Sequence, residues 1–600
     1  MKLMKLYSNK NNFKTIKFNE SLNIILGKVT KAYDRDRDTH NLGKTTLIEI
    51  IDFMLLKDIS SNKKHIFKKH RNKFLEYEFF LEIKLNSGKF LTIKRSVQRS
   101  SRVSFKLHKE CYQKFVHLIE WDHEELSINS KIPDKNAKSI LNSYLGFNVL
   151  EKYGYRQTIN YFLRTQADYG NVFHLNKFAG RDINWKPFLF ELLGFEGSFI
   201  YQKYESEDKY NEQEKIANEI KEKFSINTAE LDKINGLIDI KQQEKNEVQK
   251  LIDEFDFYLK EQGISKDLVE ELESKIAKLN TDVYNLKYDI ERIKEGLNIG
   301  INFNLKTVEK IFKEVNIYFP SQLKKSYEEL VKFNNEITSE RSKYLKESLI
   351  KKEALIKEVE KKLIELNEER KKKLAFLKEE DSFKKFKNYQ AELIQIEREI
   401  SDLKSKIDNI DVIKNINEQL KDLSGEIVDK TEKIQNQIQN GNKEYRNIRL
   451  LFNQLLIKII NRKGILSITP NKKGNVEFYA EIADFNKEES TSQGEGNTYK
   501  KILCVCFDLA LLIHYSNKSF YRFVYHDGSL ESLDNRKKLN YLELLNEVCK
   551  EYNLQIILTM IEDDIPTMKN GEKYKFNAEQ IALILTDEDN NAGRLFEMEF

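Results

Sequence analysis

Proline is almost absent from the middle of this chain. Only five of its 600 residues are proline, at positions 133, 187, 320, 470 and 566, so 201–319 and 321–469 contain none. An interior proline costs a helix ~3 kcal/mol or more, because it removes a backbone donor and clashes with the preceding turn. Two long stretches free of it permit long uninterrupted helices and argue against an array of small, loop-rich domains. The apolar spacing agrees. Leu272, Ile276, Leu279, Val283, Leu286, Ile290, Ile293 and Leu297 alternate four and three apart, the seam of a coiled coil. Tyr389, Leu393, Ile396, Ile400, Leu403, Ile407 and Ile410 repeat the alternation, and Ile356, Val359, Leu363 and Leu366 hold the same kind of spacing. Gly296, Gly300 and Pro320 interrupt the chain between these runs, which excludes one through-going helix. Two arms that each expose an apolar seam are expected to fold back as an antiparallel pair. An arm of about 100 uninterrupted residues would reach about 150 Å. Gly263, within 254–265, predicts a break in the first arm. Phe303, Phe312, Tyr318, Phe319, Tyr327 and Phe333 supply apolar material for a small tip.

The flanks read differently. Residues 21–27 form a short apolar strand ending at glycine, 45–56 has helix composition, and 77–85 with 90–97 predicts a hairpin around Asn86-Ser87-Gly88-Lys89. Strand candidates return at 465–469, 476–482, 520–526 and 555–559. The expected organisation is an α/β half (1–200), an ascending arm (201–297), a tip or hinge (298–340), a descending arm (341–445) and a second α/β half (446–600). Antiparallel arms would bring the two halves together as one composite head.

With 40% hydrophobic and 11% aromatic residues there is enough apolar material for a sizeable core, and a wholly disordered chain is excluded. Lys and Arg number 101 against 96 Asp and Glu, a net charge of +5 that decides nothing about nucleic acid. Cys111, Cys504, Cys506 and Cys549 are too few for a disulfide scaffold and lack zinc spacing. Neither a signal core nor a membrane-length apolar run is present, so a reducing, cytoplasmic setting without a membrane is expected.

The strongest local motif is His40-Asn41-Leu42-Gly43-Lys44-Thr45-Thr46, between the 21–27 strand and the 45–56 helix. Gly-Lys-Thr at a strand-to-helix loop is the end of a phosphate-binding P-loop. Backbone N–H groups at the helix N-terminus cradle phosphates, the lysine reaches their outer oxygens, and the threonine hydroxyl ligates Mg²⁺. The full pattern needs glycine at 38, where this chain has Asp38, and an insertion with alternating charges, Asp34-Arg35-Asp36-Arg37-Asp38, follows Gly27. Far downstream, Phe523-Val524-Tyr525-His526-Asp527 is an apolar strand ending in a carboxylate, the form of a Walker B metal site.

Around that strand the chain resembles ABC-type ATPases. Asp534 follows Asp527 by seven residues, as a D-loop aspartate does. Ser492-Gln493-Gly494-Glu495-Gly496 precedes the 499–515 helix and resembles a signature loop, which sits across a dimer interface against the other subunit's γ-phosphate. Gln166, in Phe162-Leu163-Arg164-Thr165-Gln166, stands where a Q-loop belongs. With the coiled-coil insertion, the resemblance is to the SMC/RecN branch and, more narrowly, to the YydD-like family of bacterial three-component ABC systems. The 316–345 segment, Phe507-Asp508-Leu509-Ala510, His526-Asp527 and Gly593-Arg594-Leu595-Phe596 carry the narrower likeness.

The resemblance implies an ABC-type head split by an antiparallel coiled coil. That head would bind ATP and Mg²⁺ through Asn41, Gly43, Lys44, Thr45, Thr46, Gln166, Ser492, Gly494, Gly496 and Asp534, with Thr45, Gln166 and Asp527 facing the metal. It implies a homodimer through the heads, engagement of duplex DNA without sequence specificity, and partner proteins encoded nearby, an effector nuclease among them, in anti-phage or anti-plasmid defence. Two departures bear on mechanism. Gly528 occupies the position of the water-activating glutamate, and no histidine stands near Met560, where a switch histidine is expected. Glu531 is the substitute base, with His526 and Glu562 as alternatives, so catalysis rests on Lys44, Asp527 and Glu531, and turnover is expected to be slow. Gly528 itself is expected to tolerate alanine. An ATP-binding scaffold with little hydrolysis is the second reading. A nuclease using Asp563-Asp564 is the third, though no nuclease motif accompanies that pair.

Six cations in eleven residues, Lys63, Lys64, Lys68, Lys69, Arg71 and Lys73, form the densest basic run. Such a run either tracks a phosphate backbone or is a solvated loop.

Overall fold

The computed structural model describes residues 1–29, 42–60, 62–118, 120–178, 180–224, 230–253, 266–298, 321–374, 380–483, 496–588 and 591–598. These fall into two compact units, one holding Met1–Tyr204 and Asp429–Phe600, the other Glu205–Lys310 and Lys325–Val428.

The first unit contains an antiparallel sheet ordered β2 (Ile16–Lys17), β1 (Lys2–Ser8), β4 (Glu78–Lys84), β5 (Phe90–Ser96), β6 (Arg102–His108) and β7 (His123–Ser127). The expected hairpin is its β4–β5 pair, in full register from Glu78 opposite Ser96 to Lys84 opposite Phe90. A second sheet is wholly parallel, ordered β13 (Ile581–Thr586), β3 (Leu22–Lys28), β12 (Gln555–Ile561), β11 (Phe523–Asp527) and β8 (Leu163–Arg164). Buried on both faces, its inner strands read as continuous apolar runs such as Leu22-Asn23-Ile24-Ile25-Leu26. β3 and β8 come from the front of the chain and β11, β12 and β13 from its end, so residues more than 300 positions apart share one sheet. Because the strands are parallel, the C-terminal ends of β3, β8, β11 and β12 lie on the same edge, where open α/β sheets bind ligands. A two-stranded sheet, β9 (Lys463–Pro470) and β10 (Val476–Ala483), completes the strands named here.

The helices of this unit are α1 (Lys44–Met54), α2 (Ile66–Lys69), α3 (Arg71–Phe74), α4 (Ala137–Leu145), α5 (Tyr155–Thr158) and α6 (Lys186–Leu192). α7 (Ser198–Phe224) runs on from them.

The second unit is helical. It contains α8 (Leu231–Asp253), α9 (Lys266–Asn298), α10 (Ser321–Leu374) and most of α11 (Glu380–Asn440). Its ion pairs set the pairing direction: Lys241–Glu399 and Lys245–Glu397 join α8 to α11, and Lys287–Glu360 and Lys294–Glu353 join α9 to α10. In each set one number rises as the other falls, so both pairs are antiparallel. The seam residues are buried or half-buried throughout, and Val248 packs with Leu393, Ile396 and Ile400. The break expected over 254–265 lies outside the described residues, as does most of the tip. α10 is already helical from Ser321, inside the stretch assigned to that tip.

Helices α12 (Lys443–Ile460), α13 (Asn497–His514) and α14 (Asn535–Tyr552) return to the first unit. α13 carries the buried Cys504 and Cys506, small hydrophobes whose thiols burial raises. Among the described residues, no helix is long and apolar enough to cross a membrane.

Candidate functional site

β3 delivers the chain to the sheet edge at Gly27, and α1 leaves that edge from Gly43. Gly43 has φ +104°, a conformation only glycine adopts without strain. No side chain caps α1 and its first turn holds no acidic residue, so the positive end of its dipole faces the edge uncompensated by a carboxylate of its own. Lys44 folds back over the strand end, its Nζ lying 3.5 Å from where a Cβ on Gly27 would stand.

Asp527 ends β11 at the same edge. It is 1% exposed, and both its oxygens accept from hydroxyls: Thr45 Oγ1 donates to Oδ2 at 3.3 Å and Thr559 Oγ1 to Oδ1 at 2.5 Å. Thr559 in turn accepts from the Gly528 N–H at 2.9 Å. Burial pushes the Asp527 carboxyl above its ordinary value, against the pull of the Thr559 and Thr45 hydrogen bonds and the Lys44 charge. A buried carboxylate and a threonine hydroxyl in contact, with a lysine nearby, fit a Mg²⁺–phosphate group. Mg²⁺ usually takes one or two protein oxygens and completes its shell with water and phosphate. Among the described residues no cluster of three or more His, Cys, Asp or Glu could hold a metal alone.

The next corner is built around a vacancy left by glycine. Gly528 has φ +67°, and a Cβ there would stand 2.7 Å from Gln166 Nε2 and 2.8 Å from Glu531 Oε1. Glu531 therefore brings its carboxylate to the place where a side chain at 528 would begin. Gln166 Nε2 donates to Glu531 Oε1 at 2.9 Å, and Lys501 of α13 donates to Glu531 Oε2 and to the Gly528 carbonyl, each at 3.0 Å. This corrects one expectation. Alanine at 528 would meet a left-handed backbone and displace both side chains, so the position does not tolerate it freely.

His526 is also corrected. It is fully buried on β11, and successive strand residues point to opposite faces. While Asp527 meets α1, His526 Nε2 meets Asp508 Oδ2 of α13 at 3.2 Å. Asp508 holds Arg164 of β8 in a two-point pair at 2.7 and 2.8 Å, with all three residues fully buried. Burial disfavours charge on Arg164, but the Asp508 carboxylate more than offsets it and keeps the guanidinium protonated. For His526 burial wins and lowers the pKa. The imidazole is a neutral brace joining β11 to α13, turned away from any water at Asp527. No sequence signal beyond Phe507-Asp508 pointed to this network.

The remaining positions are mixed. Thr46 lies half-buried in the first turn of α1. Asp534 caps α14, accepting from the Lys537 N–H at 3.0 Å and pairing with Lys537 Nζ at 2.8 Å, which lowers its pKa. Gly496 is the residue before α13. Asn41, Ser492 and Gly494 lie outside the described residues. Glu562 opens the turn after β12, 4.0 Å from Lys573. Asp564 is buried and tied to Lys538 at 2.9 Å, while Asp563 beside it is exposed.

The basic run folds as a turn at Lys63 and Lys64 followed by α2 and α3. Ile66, Phe67 and Phe74 anchor it in the core, while Lys63, Lys64, Lys69, Arg71 and Lys73 are exposed and Lys68 is half-buried. His65, expected only as part of the run, is a buried N-cap accepting from the Phe67 N–H at 3.2 Å, and burial lowers it to about 4.

Residues 454–600 match the family model DUF2326, described as an uncharacterised protein conserved in bacteria. Among solved structures, the Smc head domain with a coiled coil and joint from Pyrococcus yayanosii is 14% identical, with a TM-score of 0.35 over 96% of this chain and 98% of that one. The Smc head domain with an extended coiled coil bound to the C-terminal domain of ScpA, from Pyrococcus furiosus, is 11% identical, with a TM-score of 0.32 over 95% of each chain. In sequence the chain is similar to the uncharacterized protein YydD of Bacillus subtilis (strain 168), 21% identical over 579 residues that cover 92% of this chain and 91% of that one.

Proposed function

We propose that the chain is an SMC-like ATPase that binds Mg²⁺–ATP at the parallel-sheet edge and hydrolyses it slowly. The observation that carries this reading is the contact between Thr45 and Asp527, 482 positions apart in sequence, beside a lysine folded over the preceding strand end. Lys44 and the N-terminus of α1 bind the phosphates, and Thr45, Asp527 and Gln166 would hold Mg²⁺, which supplies charge neutralisation at the β- and γ-phosphates. Glu531 accepts the proton of the attacking water, with Gln166 and Lys501 orienting its carboxylate. A base delivered from a loop is less fixed than one on the strand end, which supports slow turnover.

In this reading a second copy supplies Ser492, Gly494 and Gly496 to the γ-phosphate, Asn41 and Thr46 complete the loop, and Asp534 faces the partner head. The exposed cations of the 63–73 run contact duplex DNA without reading its sequence, and the nucleotide state is passed to partner proteins, an effector among them, in defence. Single-turnover hydrolysis with enzyme in excess tests the enzymatic core: wild type should hydrolyse ATP and Lys44→Ala should not. Light scattering tests the assembly, since Ser492→Arg should bind ATP yet remain monomeric. One observation favours a second reading. Because Glu531 is already bonded on both oxygens, an ATP-binding scaffold with almost no hydrolysis is the alternative, and equal rates in wild type and Lys44→Ala would select it.

A further inference from the structure

The segment Gly593-Arg594-Leu595-Phe596, which the sequence reading singled out and the proposed chemistry leaves unused, lies on the phosphate loop. Beyond β13, residues 591–598 lie across the Leu42–Gly43 turn. The Leu595 N–H donates to the Leu42 carbonyl at 3.2 Å, and the Leu595 carbonyl accepts from the Lys14 N–H at 3.1 Å. The Leu595 Cβ sits 2.7 Å from where a Cβ on Gly43 would be. The next residue anchors the segment: Phe596 is fully buried, with its ring 5.1 Å from Phe13, 4.9 Å from Phe74 and 5.7 Å from Tyr77. The segment's start is tied to the end of β13 by the Thr586 N–H, which donates to the Gly593 carbonyl at 3.0 Å.

This contact answers a question that glycine alone leaves open. Glycine adopts positive and negative φ about equally well, so Gly43 permits the left-handed turn that starts α1 without selecting it. Leu595 selects it. Its side chain packs against the Gly43 backbone, filling the space where a Cβ at 43 would stand, and its N–H holds the preceding carbonyl. We propose that residues 591–598 form a strap that holds Leu42 and Gly43 in the phosphate-binding turn, with Leu595 as the positioning residue for Lys44 and Thr45. The proposal rests on the nucleotide site described above. Linkage makes it reciprocal: if the docked strap favours nucleotide, bound nucleotide must favour the docked strap by the same factor.

The test is the affinity of a fluorescent ATP analogue with Mg²⁺, measured on the full chain beside its thermal midpoint. Leu595→Ala should weaken binding about tenfold or more, equivalent to ~1.4 kcal/mol. Leu595→Met, which conserves volume, should restore it to within about threefold. Leu456→Ala, a fully buried α12 residue, should lower the thermal midpoint without weakening binding. In wild type, adding Mg²⁺–ATP should slow hydrogen exchange across 591–598, a readout independent of any variant's folding. Unchanged affinity in Leu595→Ala, equal losses in Leu456→Ala, or unchanged exchange in the strap would each overturn the proposal. Failure of the site reading has a different signature: wild type and Lys44→Ala would bind the analogue equally, or neither would bind it.

Discussion

Asp527 and Gly528 are adjacent in sequence, yet the corners they build differ in kind. At Asp527 the functional group is on a central strand, 1% exposed, and held by two hydroxyls from α1 and β12. At Gly528 there is no side chain, and the carboxylate arrives from Glu531, 37% exposed and held by residues of β8's loop and α13. The first corner is preorganised by the sheet. The second depends on two loops and a helix keeping their places. In the proposed function, charge binding would thus be fixed by the fold and water activation left to groups that can move, which is how such a site would bind nucleotide firmly and turn it over slowly.

The comparison can be broken at several points, the largest effect first. Asp527→Ala should remove the Mg²⁺ dependence of nucleotide binding and lower affinity about 100-fold, ~2.7 kcal/mol, read by titration with and without EDTA. Glu531→Gln should leave affinity nearly unchanged and slow single-turnover hydrolysis about 100-fold, typical of losing a general base. A loss under threefold would return Glu531 to an ordinary loop residue. Gly528→Ala should fall between, since a left-handed alanine costs ~1–2 kcal/mol and displaces both Gln166 and Glu531. The expected readout is about tenfold slower hydrolysis, ~1.4 kcal/mol in the barrier, with nucleotide affinity kept. Smallest per residue is the basic run. Neutralising Lys64, Lys68, Lys69 and Arg71 should flatten the log–log salt dependence of DNA binding by up to ~0.9 for each lost phosphate contact, and an unaltered slope would make the run a solvated surface.

The parts of this molecule that were readable from sequence were those written in local spacing. The seams, the β4–β5 hairpin, the Gly43-Lys44-Thr45 turn and the strand ending at Asp527 all rest on neighbours within a few residues. What was missed depends on distant partners. β1 was not read as a strand because Lys2 and Lys5 interrupt its apolar pattern. Both are buried, Lys2 bonded to the Glu20 carbonyl and Asn553 Oδ1, Lys5 to the carbonyls of Tyr112 and Gln113. His526 was offered as a base because it adjoins Asp527, although strand alternation sends it to the other face, onto Asp508. Gly528 was expected to accept alanine because neither its φ nor the approach of Gln166 and Glu531 is visible in its neighbours. The contact of Leu595 with Gly43 joins the two ends of the chain and has no local signature at all.

The central claim, that Lys44, Thr45 and Asp527 form one Mg²⁺–ATP site, is tested most directly by calorimetric titration of ATP into wild type and Lys44→Ala, each with Mg²⁺. The account predicts saturable binding to wild type and a loss of about 100-fold or more, ~2.7 kcal/mol, in Lys44→Ala. Equal heats of binding in the two proteins, or no binding to wild type, would contradict it.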